Sequence, residues 1–156
     1  MANEQSAEER NVELVKDVFD AVARGDQAAA MAAYDQKFVI ELNWGHPASG
    51  AFQGGEIKEG RTRMIKLLGL TDIQLREVIA DGPHRVVVLA DGKGTDAAGE
   101  PWSIPAVQLI TLENGKIIRT SHMFTGHDRL LEIARGREEE EFAPLNWPGV
   151  GVRDLT

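Results

Sequence analysis

Apolar positions in the first part of the chain recur at helical intervals. Val12, Val15, Phe19 and Val22 fall three or four residues apart and so share one helix face. Ser6 and Glu9 ahead of them have the spacing of a capping box, and Gly25 after Arg24 marks the stop. Asp26 can cap a second, Ala-rich helix from Gln27 to about Tyr34. Arg61, Met64, Ile65 and Leu68 predict a third amphipathic helix, ended by Gly69. Elsewhere the pattern is that of strands: Phe38 to Trp44, Ile73 to Ala80, Arg85 to Asp91, Ser103 to Leu112 and Lys116 to Thr125. Asn114-Gly115 is a strong hairpin signal between the last two. Gly45 to Gly55 and Gly92 to Glu100 read as loops, and Thr125 with Asp128 can cap a short helix through Ala134. Glu138 to Glu141 is a solvated charge run, and Phe142 to Thr156 has no periodicity.

Helices followed by mostly antiparallel strands give an α+β fold. One domain over residues 1–156 is expected, with a core at about 8–135 and a tail at 136–156. The net charge of −8 disfavours nucleic acid and anionic lipid as partners. No apolar run approaches a membrane span, and the polar N-terminus is unlike a signal peptide. With no cysteine the chain has no disulfide and no thiol chemistry, which fits a cytoplasmic location. The four histidines lack the spacing of a metal site, so neither metal nor cofactor is expected.

The stretch Asn11–Asp26, closing on a Gly-Asp turn, resembles the opening helix of SnoaL-like proteins of the nuclear transport factor 2-like superfamily. Tyr34 and the following strand resemble the next family block. Pro47–Met64, with Gly50-Ala-Phe-Gln-Gly and Glu59-Gly-Arg, is similar to the segment around the third helix, and Leu112–Arg119 to the final hairpin. The resemblance covers roughly residues 10 to 135. It implies a cone of curved sheet with three helices over an apolar pocket, in a superfamily of polyketide cyclases, ketosteroid isomerases, limonene epoxide hydrolases and non-enzymes.

In such a cone, strand alternation selects the lining. Counting from Asn114-Gly115 points Ile118, Thr120, His122 and Phe124 inward, with Ile104, Ala106 and Gln108 beside them. Val87, Leu89 and Asp91 are expected inward from the strand at Arg85, and Ile40, Leu42 and Trp44 from the first strand. Phe19 and Val22 would close the pocket. Val86, Val88, Ile117 and Met123 then face outward, an apolar patch that a homodimer would cover.

The resemblance implies chemistry for three polar residues. His122 falls where cyclases and limonene epoxide hydrolases of the superfamily carry a catalytic Asp. Asp91 matches another acidic position of the hydrolases, and Gln108 lies near the oxyanion donor of ketosteroid isomerases. Base, orienter and oxyanion donor together serve proton abstraction beside a carbonyl. The departures are as telling. Ile40, Leu42 and Leu89 stand where the hydrolases hold water with Tyr, Asn and Arg, and Leu42 also replaces the isomerase base. The expectation is a cofactor-free cyclase, isomerase or hydratase acting on a hydrophobic oxygenated molecule, with His122 as base. The alternatives are an epoxide hydrolase using Asp91 and His122, and a binding protein without turnover. A structural histidine–carboxylate pair and a strand-bridging glutamine remain the bland readings. His46 before Pro47 reads as a surface residue, and Trp44 and Trp102 as core or ligand-stacking.

Overall fold

The computed structural model describes residues 5–46 and 49–141. The described residues form, in order, α1 (Ala7–Ala23), α2 (Gln27–Ala32), β1 (Tyr34–Asn43), β2 (Gly50–Gln53), α3 (Glu56–Leu68), β3 (Leu70–Ala80), β4 (Arg85–Thr95), β5 (Pro101–Glu113), β6 (Lys116–Phe124) and α4 (His127–Glu141). The six strands make one curved, unclosed sheet in the order β2-β1-β6-β5-β4-β3. The β1–β6 pair is parallel and every other pair antiparallel. The α+β class expected from the sequence is the class observed.

Local chemistry accounts for the start and the central hairpin. Ser6 accepts from the Glu9 backbone N–H at 3.1 Å while Glu9 accepts from the Ser6 N–H at 2.9 Å, the reciprocal capping box. Asn114 and Gly115 take φ of 50° and 72°, the left-handed pair that a tight β5–β6 hairpin needs.

Two apolar clusters fill the concave side. In one, α3 and α4 cover Ile40, Leu42, Trp44, Ile104, Ala106 and Phe124. In the other, α1 and α2 cover Val86, Val88, Ala90, Ile110 and Ile117. The three helices expected over the sheet are joined by a fourth: the short helix expected through Ala134 runs on to Glu141 and buries Leu130, Ile133 and Ala134 in the first cluster. The segment without periodicity in its sequence, Phe142 to Thr156, lies outside the described residues, as does Pro47.

Several boundaries differ from the sequence expectation. Strand β1 begins at Tyr34, and β2 occupies part of the expected Gly45–Gly55 loop. The expected Gly92–Glu100 loop is strand as far as Thr95. Its glycines are there for room. A Cβ on Gly92 would sit 3.0 Å from the Phe124 ring, and one on Gly94 would run into the Gly69 carbonyl oxygen and sit 2.8 Å from the Trp102 ring. Trp102 is held in place by its indole N–H donating to the Leu68 carbonyl at 2.8 Å. Trp102 is thus core.

Alternation also differs on β4. Val88 pairs with Gln108, and Ala90 with Ala106, so the even-numbered residues point inward. Val86 and Val88 are fully buried in the core, not on an outer patch. This strand is apolar on both faces, so hydrophobic period could not choose between them. On β6, a register shift between Thr111 and Leu112 leaves Ile118 without a partner. Ile117 is therefore buried in the core, whereas Thr120 and Phe124 point inward as expected. The outer face instead carries Val87, Leu89, Val107, Leu109 and Met123, each half-buried and joined through the pairs Val87–Leu109, Leu89–Val107 and Val107–Met123.

Gly94→Ala is expected to destabilise the fold by about 1–3 kcal/mol, because the new methyl meets the Gly69 carbonyl and a pinned ring. Urea unfolding measures it; a neutral midpoint would show that the contacts to Gly69 and Trp102 are not tight.

Candidate functional site

A polar seam crosses the concave face between the two apolar clusters. His122 on β6 pairs with Gln108 on β5 and with Leu42 on β1, so these three side chains stand abreast on one face. Thr120, one inward step earlier on β6, is buried, and its hydroxyl lies 3.4 Å from His122 Nε2. Gln108 is buried as well, and its amide has no hydrogen-bond partner among the described residues. Tyr34 borders both clusters, its ring 4.5 Å from Phe38.

The seam is a donor-rich place with no carboxylate among the described residues. Asp91 pairs with Pro105 and Gln74 on the far side of the sheet, where Arg76 Nε donates to its carboxylate at 2.6 Å. The expected Asp91–His122 couple does not form: residues 91 and 88 differ by an odd step, and the odd residues of β4 face outward. Leu89 is outside for the same reason. Val22 is 44% exposed at the end of α1 and lines nothing, while Phe19 packs half-buried on the α1 cluster. Ile40, Leu42, Trp44, Ile104, Ala106, Thr120 and Phe124 are all buried on the concave side.

His122 keeps a partly accessible surface, yet protein surrounds it. Burial, reinforced by the positive charge of Arg61, pushes its pKa down to about 3. The imidazole is therefore neutral at physiological pH. Burial likewise raises the Tyr34 hydroxyl, against the opposing pull of Arg61. Both effects reveal a cation that the sequence reading had grouped with the apolar stripe of the third helix. Arg61 lies half-buried between Ile57 and Met64, on the face α3 turns to the core. Its place in that stripe was the available signal.

Beside the seam, Trp44 is wholly buried with its indole N–H unpartnered. His46 stacks on it, ring centroids 4.5 Å apart and planes 12° from parallel, so His46 is buried and not a surface residue. His127 is exposed at the start of α4. Surface grooves of about 560 and 460 Å³ lie on α1–α2 and on the outer side of α3; neither includes His122 or Gln108. Among the described residues no cluster of His, Asp or Glu could hold a metal ion. No described helix is long and apolar enough to cross a membrane.

A cone of sheet, covered by helices and lined by a polar seam, defines a class of small α+β domains, and the comparisons place the chain within it. The family model for the SnoaL-like domain matches residues 15–120, and the chain belongs to that family. No curated protein matches the sequence. Among solved structures, Bal32a from a soil-derived mobile gene cassette is similar at 19% identity and a TM-score of 0.72, over 83% of this chain and 100% of that one. TerC, co-crystallised with polyporic acid, is similar at 22% identity and a TM-score of 0.67, over 81% and 98%. A protein of Jannaschia sp. CCS1 assigned as a SnoaL-like polyketide cyclase is similar at 20% identity and a TM-score of 0.64, over 86% and 98%. At these identities the likeness is one of fold.

The buried His122 has a consequence for acid stability. Its folded pKa of about 3 lies below the ordinary 6.5, so between these values the unfolded chain binds a proton that the folded one refuses. Stability is thus retained above pH 6.5 and lost as pH falls toward 3, with about 1.4 kcal/mol per pH unit as the ceiling for one proton. His122→Gln is expected to flatten the pH dependence of unfolding in that window. Identical slopes for both proteins would mean that His122 is already charged in the fold.

Proposed function

We propose that this chain is a cofactor-free acid–base catalyst of the cyclase or isomerase type, acting on a hydrophobic, oxygen-bearing small molecule. The observation that carries the reading is the Gln108–His122 pair: a neutral imidazole beside an unpartnered amide on the inner face of an apolar cone. The imidazole accepts a proton from carbon beside a carbonyl, and the amide donates to the oxygen on which negative charge develops. An imidazole this hard to protonate is a weak base in the empty site. Its basicity rises as the enolate forms, because the new negative charge offsets both burial and Arg61. Asp91 has no part in this scheme. The epoxide hydrolase alternative loses support with it, since that carboxylate is across the sheet and ion-paired to Arg76.

Deuterium exchange at the carbon beside the carbonyl of a bicyclic aryl ketone, followed by proton nuclear magnetic resonance, tests the chemistry without the natural substrate. The protein should accelerate exchange, and His122→Ala should remove about 10²–10⁴ of the acceleration. Binding of the ketone with no exchange, in wild type and variant alike, would favour the non-catalytic binding protein.

The assembly proposed is a homodimer through the outer band of Val87, Leu89, Val107, Leu109 and Met123, since an apolar strip of this kind on an acidic chain is best covered by a second copy. Sedimentation at micromolar concentration should give about twice the 17.1 kDa chain mass, and Leu109→Asp should return it to monomer. A wild-type monomer would contradict the assembly.

A further inference from the structure

Arg61 is half-buried on the core-facing stripe of α3 and has no partner among the described residues. Ile57, Arg61, Met64 and Leu68 succeed one another down the stripe that α3 turns to the core, and all but Arg61 are apolar and buried. Among the described residues the guanidinium makes neither an ion pair nor a hydrogen bond. The two well-covered carboxylates of the sheet, Glu41 and Asp91, are on its outer face, and Arg119 and Arg76 already hold them. A half-buried guanidinium at the edge of an apolar interior keeps part of its charge desolvated and uncompensated, which an arriving anion would relieve. Other polar groups of the interior are donors too. Trp44 presents a buried, unpartnered indole N–H within the cluster that α3 covers, and the Gln108 amide is unpartnered across the seam. The interior is thus rich in unused donors and positive charge, with no acid on its inner face among the described residues.

We propose that Arg61 anchors a negatively charged oxygen of the ligand, so that the site takes an apolar organic oxyanion, a carboxylate or an enolate. This rests on the small-molecule reading above and adds the charge of the molecule. The planar fork of the guanidinium suits a carboxylate or the two oxygens of a dicarbonyl enolate, which it can engage through paired N–H groups. The field of Arg61 already reaches Tyr34 and His122, which places it within electrostatic range of the seam.

Calorimetric titration at neutral pH with naphthoate and with naphthamide separates charge from shape, because the two probes differ little except in charge. The wild-type protein should prefer naphthoate by about 10- to 100-fold, the usual worth of a hydrogen bond to a charged group. Arg61→Met should abolish the preference by weakening naphthoate far more than naphthamide, and far-ultraviolet circular dichroism reports that the variant is folded. Arg61→Lys should keep a reduced preference, and it serves in place of the methionine variant should that one not fold. Acetylacetone, titrated across its own ionisation, reads the enolate arm in the same way. Equal binding of naphthoate and naphthamide, or a preference that survives Arg61→Met, overturns the oxyanion assignment alone. Failure of every probe to bind overturns it together with the small-molecule reading.

Discussion

The register in which β5 runs beside β4 and β6 decides what the interior contains. With Gln108 opposite both Val88 and His122, one face receives an amide, an imidazole and the even-numbered residues of β4. A slip of one residue between β4 and β5 would exchange Val88 for Leu89 and bring Asp91 inside, since side chains alternate along a strand. Side-chain contacts oppose the slip. The rings of Trp102 on β5 and Phe124 on β6 fill the space left by Gly94 and Gly92 on β4, while the β5–β6 hairpin holds those two rings relative to one another. The Trp102 bond to the Leu68 carbonyl ties that end of the sheet to α3 as well.

Inside the cone the electrostatics follow from what the register excludes. Arg61 approaches from α3, and no carboxylate on the inner face answers it. His122 then has two reasons to stay neutral and none to become charged, and Tyr34 has burial holding its proton on. A histidine–carboxylate couple would have stored its basicity in the resting protein. Here basicity depends on the ligand, because only a negative charge arriving or forming in the seam makes the imidazolium tolerable. The outer face shows the opposite arrangement, with Glu41 shared by Arg119 and Ser121, and Asp91 held by Arg76.

Sequence periodicity and turn chemistry made much of this legible. The capping box, the Gly-Asp turn, the hairpin and the inward run Thr120, His122, Phe124 all follow from local rules. Gln108 does not: counted from the turn alone it would stand opposite Ser121, and the bulge between Thr111 and Leu112 brings it opposite His122. The parity of β4 was not legible, since Val86 to Leu89 is apolar whichever way it faces and the connection to β5 has no fixed length. The bulge at Ile118 hid for a similar reason: two adjacent isoleucines carry no alternation. Gly92 and Gly94 read as loop because the ring contacts that demand them come from residues distant in sequence. Arg61 was visible as a member of the helical stripe, but a long cationic side chain at such a place reads as an edge residue until the missing counter-ion is known.

The central claim is that His122 lies uncharged on the inner face, apart from Asp91 and under the field of Arg61. Titration of its imidazole by nuclear magnetic resonance, in wild type, Asp91→Asn and Arg61→Met, tests this directly. The account predicts no titration of His122 from neutral pH down to the onset of acid unfolding, no change in Asp91→Asn, and a raised pKa in Arg61→Met. A midpoint at or above the ordinary 6.5 in wild type, falling in Asp91→Asn, would contradict it.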